Sequence, residues 1–325
     1  MGRPRVVSYG LGPIGLGVAE ILLQRGYEFA GAVDTDPAKA GRPLRELLPG
    51  APSGVVIAPS IGDLRGHGAD VVVHSTQSRL HHVLPQLHPL LEAEWNVIST
   101  CEELSYPWYG YPDDARDLDR SARAHGVRLL GTGVNPGFVM DLLPVVLTMP
   151  CREVRRITVT RVVDARQRRL PLQRKVGAGL SPDEFAAGVA AGRIAHVGLP
   201  ESVAMLAAAV GWAVDSITET IDPVLDAEGV VRGLHQICRG IMHGQTASIM
   251  LDLTMAVGAD DPRDEIRIDG VPPIHATIHG GVQGDQATCA IVANTLPRLL
   301  AAPPGLVTAI ELPAALIPPR GVLSV

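Results

Sequence analysis

The stretch RVVSYGLGPIGLGVAEILLQRG, Arg5–Gly26, decides the fold class. A β-branched run ends at Gly10, and Gly10, Gly12 and Gly15 then form the pattern G-x-G-x-x-G ahead of an apolar-periodic segment. In this pattern the first glycine permits a tight turn, the second lets the backbone approach a pyrophosphate, and the third allows close helix packing. Pro13 suits the first helical turn, whose free N–H groups attract phosphates. The stretch therefore predicts a strand, a turn and a helix that bind a dinucleotide.

The residue at the end of the second predicted strand bears on whether the protein binds NAD(H) or NADP(H). The strand YEFAGAVD ends at Asp34. A carboxylate there accepts hydrogen bonds from the adenine ribose hydroxyls and repels a 2′-phosphate, so it favours NAD(H) over NADP(H). Lys39 and Arg42 follow soon after and would attract a 2′-phosphate. NAD(H) is therefore the predicted cofactor, and NADP(H) stays open.

Strands and helices continue to alternate through the first half. Helices are predicted at about Arg79–Glu94 and Pro112–His125, and the segments GVVIAPS, ADVVVHST, NVIST and GVRLLGTG are predicted strands. Apolar strands that alternate with helices indicate an α/β fold with a Rossmann-type doubly wound parallel sheet, which binds ligands at the carboxyl ends of its strands. The predicted cofactor contacts are Gly10, Gly12, Pro13, Ile14, Gly15, Asp34, Ser75, Thr76, Thr100 and Asn135.

The second half has the pattern of an α+β domain. Ser181–Gly192 and Pro200–Trp212 are predicted helices, REVRRITVTRVVDA and GIMHGQTASIMLDLTMAVG each have a strand pattern, and DEIRIDGVPPIHATIHGG is typical of a hairpin. The segment DQATCAIVANTLPRLLAAPPG returns to helix. We therefore predict a dinucleotide-binding domain over 1–135, an α+β substrate and dimerisation domain over 136–285, and a C-terminal segment over 286–325 that packs back on the first domain.

Composition argues against several function classes. The 325 residues are 46% hydrophobic, carry a net charge of -6 and contain no basic block, so nucleic acid is not an expected partner. No apolar run is long enough to span a bilayer, and the first strand begins too early to leave room for a signal peptide. The 4 cysteines lack CxxC spacing. A reduced, cytoplasmic protein is the simplest interpretation.

The stretch STCEELSYPWYGYP, Ser99–Pro112, combines two acids with aromatic residues. Glu102 and Glu103 follow a predicted strand, and four aromatic residues come next: Tyr106, Trp108, Tyr109 and Tyr111. The chain has only 3 Trp, 5 Tyr and 3 Phe, so this cluster is unusual. The residues alone leave two interpretations of each feature open: the acids form either a site or a solvated turn, and the aromatic side chains form either a lid or part of a core or dimer interface.

These motifs resemble a known family. The glycine turn, Asp34, NVISTCEELSYP and GTGVNPGFVMDLLP resemble the 2,4-diaminopentanoate dehydrogenase and native amine dehydrogenase group, within the dihydrodipicolinate reductase-like superfamily. HVGLPES and ANTLPRLLAAPPGLVT extend the resemblance over nearly the whole chain. It implies NAD(P)-dependent reductive amination of ketones or aldehydes with ammonia, the reverse oxidative deamination of amines, and a homodimer.

The resemblance also implies a catalytic glutamate within the CEE segment. Its position at the strand end favours Glu102, with Glu103 as the alternative. If Glu102 transfers protons, we expect Glu103 to be structural and held by a helix N-terminus. Phe138, Met140 and His196 are expected to line the substrate pocket, although Met140 also fits a core and His196 a structural role.

No metal site is predicted. His275 and His279 share a strand pattern, but no nearby acid or cysteine completes a set of ligands. Two other functions remain open at this point. One is a related dehydrogenase or imine reductase that acts on a diamine, an amino acid or a cyclic imine. The other is an NAD(H)-binding sensor without catalytic activity.

Overall fold

The computed structural model describes residues 4–64, 66, 68–167, 175–244 and 248–313. The described chain divides into two compact units. The first draws on Met1–Val134 and Gly284–Val325, and the second is Asn135–Gln283. Among the described residues no helix combines the length and the apolar character that a membrane crossing requires. A cytoplasmic location stays a prediction.

The first unit begins as an alternation of strands and helices. Up to residue 134 its strands are β1 (Arg5–Tyr9), β2 (Glu28–Val33), β3 (Ile57–Ala58), β4 (Val71–His74), β5 (Asn96–Ser99) and β6 (Arg128–Gly131). Its helices there are α1 (Pro13–Gln24), α2 (Leu80–Glu92), α3 (Pro107–Gly110) and α4 (Pro112–Ala124). β3 is shorter than the predicted strand GVVIAPS. It is an edge strand, and Pro59, which follows it, has no N–H to extend the pairing.

The second unit is a mixed sheet with helices. Its strands are β7 (Glu153–Asp164), β8 (Val214–Leu225), β9 (Val231–Met242), β10 (Ser248–Ala256), β11 (Arg263–Val271) and β12 (Ile274–His279). Its helices, within the described ranges, are α5 (Leu142–Thr148), α6 (Pro182–Ala190) and α7 (Leu199–Ala209). The strand order is β12-β11-β7-β10-β9-β8. β10 pairs with β7 in parallel and the remaining neighbours are antiparallel, which is the predicted α+β character.

One strand prediction in this unit is wrong. The segment GIMHGQTASIMLDLTMAVG contains the end of β9 and the whole of β10, which pair antiparallel. Gly244 has a φ of 63° after β9, a left-handed conformation that ends a strand. β8 was not predicted, because this edge strand mixes polar residues with Pro223 and lacks a continuous apolar run.

The chain then returns to the first unit. Helix α8 (Gly284–Ala301) packs against α1, and β13 (Gly305–Val307) pairs in parallel with β6. The described strands of this sheet are all parallel and have the order β13-β6-β5-β4-β1-β2-β3. Two buried apolar clusters form the core of the unit. The Rossmann-type doubly wound sheet is therefore confirmed.

Candidate active site

The glycine turn has the geometry that its pattern predicts. Gly10 has a φ of 90°, and a Cβ there would lie 2.4 Å from the carbonyl oxygen of Ser75. A Cβ on Gly15 would lie 1.9 Å from the carbonyl oxygen of Gly10. A Cβ on Gly12, in contrast, would meet none of the described atoms within 4 Å. Pro13 begins α1, with Ile14 behind it against the core. The turn thus has open space at the glycine where a pyrophosphate would approach.

Asp34 is buried beside this turn. Its Oδ2 accepts hydrogen bonds from the Leu11 N–H at 2.8 Å and from Lys39 Nζ at 2.9 Å, and its Oδ1 accepts one from the Asp36 N–H at 2.9 Å. Burial raises the pKa of Asp34, but these hydrogen bonds outweigh it and hold the pKa below its ordinary value. The carboxylate is therefore ionised, and Oδ1, which accepts a single one of these hydrogen bonds, has a second lone pair for a ribose hydroxyl.

The two cations that could attract a 2′-phosphate are engaged by carboxylates. Lys39 pairs with Asp34 at 2.9 Å, and Arg42 pairs with Glu46 at 2.8 Å. A phosphate would have to displace an existing anion from each of them. The geometry thus agrees with NAD(H), the cofactor that Asp34 favours.

Backbone hydrogen bonds align the carboxyl ends of the strands. The Ser75 N–H donates to the Tyr9 carbonyl at 2.7 Å, and the Thr100 N–H donates to the His74 carbonyl at 2.9 Å. Ser75, Thr76 and Thr100 therefore lie along one edge of the sheet, as the sequence predicted. The hydroxyl of Ser75 is buried and has no partner among the described residues. The hydroxyl of Thr76 donates to Oε1 of Gln86 on α2, so it forms a hydrogen bond within the protein.

The two glutamates form a single turn of 3-10 helix after β5. This carboxylate turn is Glu102–Ser105, and it lies directly on the end of β6. A Cβ on Gly131 would lie 2.5 Å from the carbonyl carbon of Leu104, so no side chain fits at residue 131 without moving the turn. The hydroxyl of Ser105 donates to the Glu102 carbonyl at 2.7 Å. The turn is thus fixed against the parallel sheet.

The two carboxylates have different environments. Glu103 is 3% exposed, and its Oε2 accepts the Leu80 N–H at the start of α2 at 2.7 Å. Its Oε1 pairs with Arg79 at 3.0 Å. The expected contact between Glu103 and a helix N-terminus is therefore present. Glu102 is partly exposed.

The aromatic residues after the turn do not act as one group. Trp108 and Tyr111 pack against the core of the first unit, whereas Tyr109 is 42% exposed. Tyr106 is half-buried, and burial, together with nearby Glu311, raises the pKa of its hydroxyl. Two members of the cluster therefore belong to the core, which is one of the interpretations that the sequence left open, and a lid stays a prediction.

Cys101 precedes the carboxylate turn. It is buried, and its Sγ donates to the Ser78 carbonyl at 3.3 Å. Burial raises the pKa of this thiol, and the carboxylates of Glu102 and Glu103 raise it further. The thiol is therefore neutral and packs within the unit.

The remaining predicted site residues, the cofactor contact Asn135 and the three pocket residues, lie in the second unit. Asn135 is 7% exposed, and its Nδ2 lies 3.0 Å from Nε2 of His196 and 3.2 Å from Sδ of Met140. The Oδ1 of Asn135 is buried without a partner among the described residues. Phe138 is partly exposed, whereas Met140 is fully buried and so takes the core position that the sequence left open.

Sequence reasoning missed the groups that hold these residues. Gln236 donates to the His196 carbonyl and accepts its N–H, both at 2.8 Å. Asp141 caps α5 and accepts hydrogen bonds from the Gly137 N–H and the Ser202 hydroxyl, both at 2.8 Å. An aspartate directly before an apolar helix is a cap signal that could have been noticed. Gln236 has no such local signal, because its partners are distant in sequence.

The histidine pair on β12 does not form a metal site in the described chain. His275 Nε2 lies 2.8 Å from Oε1 of Glu265 on β11. Across the described ranges, no three His, Cys, Asp or Glu side chains are grouped as metal ligands. The absence of a metal ion stays an expectation.

Comparison with known proteins identifies the family. Residues 138–319 match the family model of the 2,4-diaminopentanoate dehydrogenase C-terminal domain. The chain is 32% identical to 2,4-diaminopentanoate dehydrogenase of Acetoanaerobium sticklandii, over 99% of this chain and 96% of that protein. The chain belongs to the 2,4-diaminopentanoate dehydrogenase family. The resemblance that its motifs carry is therefore confirmed.

Solved structures agree with this family membership. An amine dehydrogenase from Mycobacterium smegmatis matches with a TM-score of 0.85 and 26% identity, over 96% of both chains. A scyllo-inositol dehydrogenase from Lactobacillus casei matches with a TM-score of 0.61 and 14% identity, over 95% of this chain and 92% of that one, which shows the shared fold alone. The chain is thus an NAD(P)-dependent oxidoreductase, as predicted. Family and glycine turn together identify NAD(H) as a cofactor, and use of NADP(H) stays a prediction.

Proposed function

We propose that this member of the family is an amine dehydrogenase that converts a ketone or aldehyde and ammonia into an amine, and also catalyses the reverse deamination. The observation that carries the proposal is the difference between the two adjacent glutamates. Glu103 is buried at the start of α2, while Glu102 is partly exposed at the edge of the sheet where ligands of this fold bind. One carboxylate is thus fixed as structure and the other is accessible for chemistry.

Glu102 is assigned the proton transfers of the reaction. Ammonia must attack a carbonyl, and water must leave the resulting carbinolamine before an iminium carbon can be reduced. A carboxylate at this position can accept a proton from ammonium, pass it to the departing hydroxyl and stabilise the positive charge of the iminium. NADH supplies the hydride when it is bound. The open glycine turn, Asp34 and the strand ends at Ser75, Thr76 and Thr100 are assigned to holding it.

Asn135, Phe138 and His196 are assigned to ligand contacts in the second unit. The buried, unpartnered Oδ1 of Asn135 supports this role, since a buried acceptor is stabilised by an N–H donor, which an amine or a carboxamide supplies. His196 lies 3.0 Å from the amide nitrogen of Asn135 and fixes its orientation. Phe138, which is partly exposed, is assigned to the apolar wall of the pocket. Met140 is fully buried, and its Sδ contacts the amide nitrogen of Asn135 at 3.2 Å.

A diamino acid is the second candidate substrate class. It is favoured by the 32% identity to 2,4-diaminopentanoate dehydrogenase over almost the whole chain. An imine reductase and an NAD(H) sensor are the further alternatives. Unlike an amine dehydrogenase, neither the imine reductase nor the sensor requires ammonia.

The test measures NADH oxidation with a panel of ketones and aldehydes, with and without ammonium, at mildly alkaline pH. We expect turnover that requires ammonia, and a loss of about 10²-fold to 10⁴-fold in kcat for Glu102→Gln. Glu103→Gln is the matched control, since it changes the neighbouring carboxylate, and its main expected effect is on stability. NADH binding without any turnover would instead identify a sensor. Turnover without ammonia would identify a reductase of carbonyls or cyclic imines.

We also infer a homodimer, formed through the second unit. Along β7 the side chains alternate, so that Ile157 and Val159 are buried while Thr158 and Thr160 on the opposite face remain half-exposed. Met250, the cross-strand neighbour of Thr158 on β10, is half-exposed on the same face. The partly exposed face of this six-stranded sheet is broad enough to pair with a second copy. Light scattering should give twice the chain mass for the wild type, and Thr160→Arg should give the monomer mass.

A further inference from the structure

A buried histidine lies next to the proposed site and takes no part in the chemistry described above. His74 is the last residue of β4 and is fully buried. Its ring packs edge-on against Tyr9, which ends β1 directly before the glycine turn, with ring centroids 5.2 Å apart. Burial lowers the pKa of His74 to about 4, against a hydrogen bond to Gln86. The imidazole is therefore neutral at neutral and alkaline pH.

The hydrogen-bond partners of His74 determine which ring nitrogen carries the proton. Nε2 lies 2.8 Å from Oε1 of Gln86 and 3.0 Å from the hydroxyl of Thr76, which donates its own hydrogen to the same Oε1. The amide nitrogen of Gln86 points to the His82 carbonyl on the same helix. Because Oε1 can only accept, Nε2 carries the hydrogen. Nδ1 is then an acceptor, and it lies 2.9 Å from the hydroxyl of Ser99. The Ser99 hydroxyl therefore donates to His74.

The same hydroxyl reaches the carboxylate turn. Ser99 Oγ accepts the N–H of Cys101 at 3.1 Å, and Cys101 is the residue immediately before Glu102. A continuous path of hydrogen bonds thus connects the partly exposed Gln86 on α2, through the buried His74 on β4 and Ser99 on β5, to the backbone that enters the turn. Each hydrogen bond in the path has a fixed direction, so the path fixes the geometry of that backbone.

We propose that His74 is a positioning residue, which acts through Ser99 and the Cys101 amide to fix the turn that presents Glu102. This inference rests on the proposed role of Glu102. The buried Glu103 binds the turn to the start of α2 through the Leu80 N–H. Gly131 lets the end of β6 pack directly against the backbone of the turn at Leu104. His74, through Ser99, holds the Cys101 amide where the chain passes from β5 into the turn. Three separate contacts thus fix the backbone of one short segment, as a reacting carboxylate requires.

The first test removes the middle of the path with Ser99→Ala. We expect kcat to fall about 10-fold to 100-fold, since a small displacement of a reacting group has effects of that size. The affinity for NADH and the KM for the carbonyl should change less than twofold. Ser8→Ala is the matched control, because Ser8 is also a buried serine of the same sheet, and its hydroxyl has no partner among the described residues. Its kcat should equal that of the wild type.

The second test compares two substitutions of the histidine. His74→Asn retains an amide oxygen close to the position of Nδ1, which can still accept from Ser99, whereas His74→Phe offers no acceptor. His74→Asn should therefore retain more of kcat than His74→Phe. Equal losses in both variants, or a kcat of Ser99→Ala within twofold of Ser8→Ala, would overturn the proposal.

Two readouts do not depend on activity, so they separate this inference from the proposed function. Long-range ¹H–¹⁵N spectra of the histidine side chains should show His74 with its proton on Nε2 at neutral pH. Hydrogen exchange of the peptide over residues 99–106 should accelerate in Ser99→Ala and not in Ser8→Ala. If the wild type shows no ammonia-dependent turnover, the proposed function fails, while these two measurements still decide whether the path holds the turn. An unchanged exchange rate of this peptide in Ser99→Ala would overturn the proposal that His74 fixes the turn through Ser99.

Discussion

At the scale of single residues, neighbours in the sequence have opposite roles because their partners differ. Glu102 and Glu103 are adjacent in the sequence. Glu103 is buried and reaches the first N–H of α2 and the guanidinium of Arg79, whereas Glu102 is partly exposed. A buried carboxylate needs such partners, since desolvation of an unpaired charge costs several kcal/mol. The contacts of Glu103 therefore give it a structural role, and the partial exposure of Glu102 is what supports its proposed role in proton transfer.

Cofactor preference is also decided by one residue, Asp34. We expect Asp34→Ser to lower the ratio of kcat/KM for NADH to that for NADPH by about 10-fold to 100-fold, since each tenfold change corresponds to about 1.4 kcal/mol. The substitution removes the repulsion of a 2′-phosphate and releases Lys39 from its pair at 2.9 Å. Steady-state kinetics with both cofactors measure the ratio.

The control for Asp34 is Asp36→Ser. Asp36 lies 3.7 Å from the same lysine but is more exposed, so its removal should change the ratio much less. An unchanged ratio in Asp34→Ser would mean that this carboxylate does not select the cofactor.

At the scale of elements, the hairpin of β11 and β12 depends on one carboxylate. Glu265 accepts hydrogen bonds from Arg267 at 2.6 Å, from Arg263 at 3.2 Å and from His275 at 2.8 Å. The hydrogen bond from Arg267 is the main cause that lowers the pKa of Glu265 from 4.5 to about 2, against the effect of burial. The folded state therefore favours the ionised carboxylate.

This pKa predicts how the stability of the hairpin depends on pH. Because the folded pKa lies below the unfolded one, the stabilisation is present above about pH 4.5 and is lost as the pH falls towards about 2. Arg267 is largely exposed, so we expect Glu265→Gln to lower the free energy of unfolding by only about 1–2 kcal/mol at pH 7. Urea denaturation at several pH values measures the difference from the wild type.

The matched control is Glu153→Gln on β7. Glu153 pairs with Arg155, but its side chain is 51% exposed, so its loss should have little effect at any pH. A cost for Glu265→Gln that stays constant from neutral to acidic pH would contradict the predicted pKa.

At the scale of the whole molecule, the chain completes its first unit only after it has formed the second. Among the described residues α8 is the last α-helix and β13 the last strand, and β13 adds an edge strand to the sheet that contains β1. Leu296 and Leu299 of α8 are fully buried in the same cluster as Val18 and Leu22 of α1. The dinucleotide-binding unit therefore needs residues from both ends of the chain.

We expect Leu296→Asp to abolish NADH binding, because a buried charge would separate α8 from α1, the helix that begins at the glycine turn. Ala301→Asp, at the exposed end of α8, is the control and should bind NADH like the wild type. Fluorescence titration with NADH measures both. Normal binding by Leu296→Asp would mean that α8 does not support the glycine turn.

The sequence by itself determined the features that depend on local pattern. Gly10, Gly12 and Gly15 sit between a strand and a helix, and Asp34 ends the next strand, so spacing alone predicts a dinucleotide-binding sheet. The motifs around Glu102 and after β6 are likewise continuous in sequence and indicate the family. The helix predicted over Ser181–Gly192 is likewise local, since it begins at a capping box whose partner Glu184 lies within one helical turn of Ser181.

Only the tertiary structure decided the features that depend on contacts between distant residues. The break between β9 and β10, the division of the aromatic cluster and the burial of Glu103 each follow from where other elements pack. The path from Gln86 through His74 and Ser99 to Cys101 joins three elements that the sequence separates. Hydrogen bonds between such residues leave no periodic signal, because their geometry exists only after the strands have aligned.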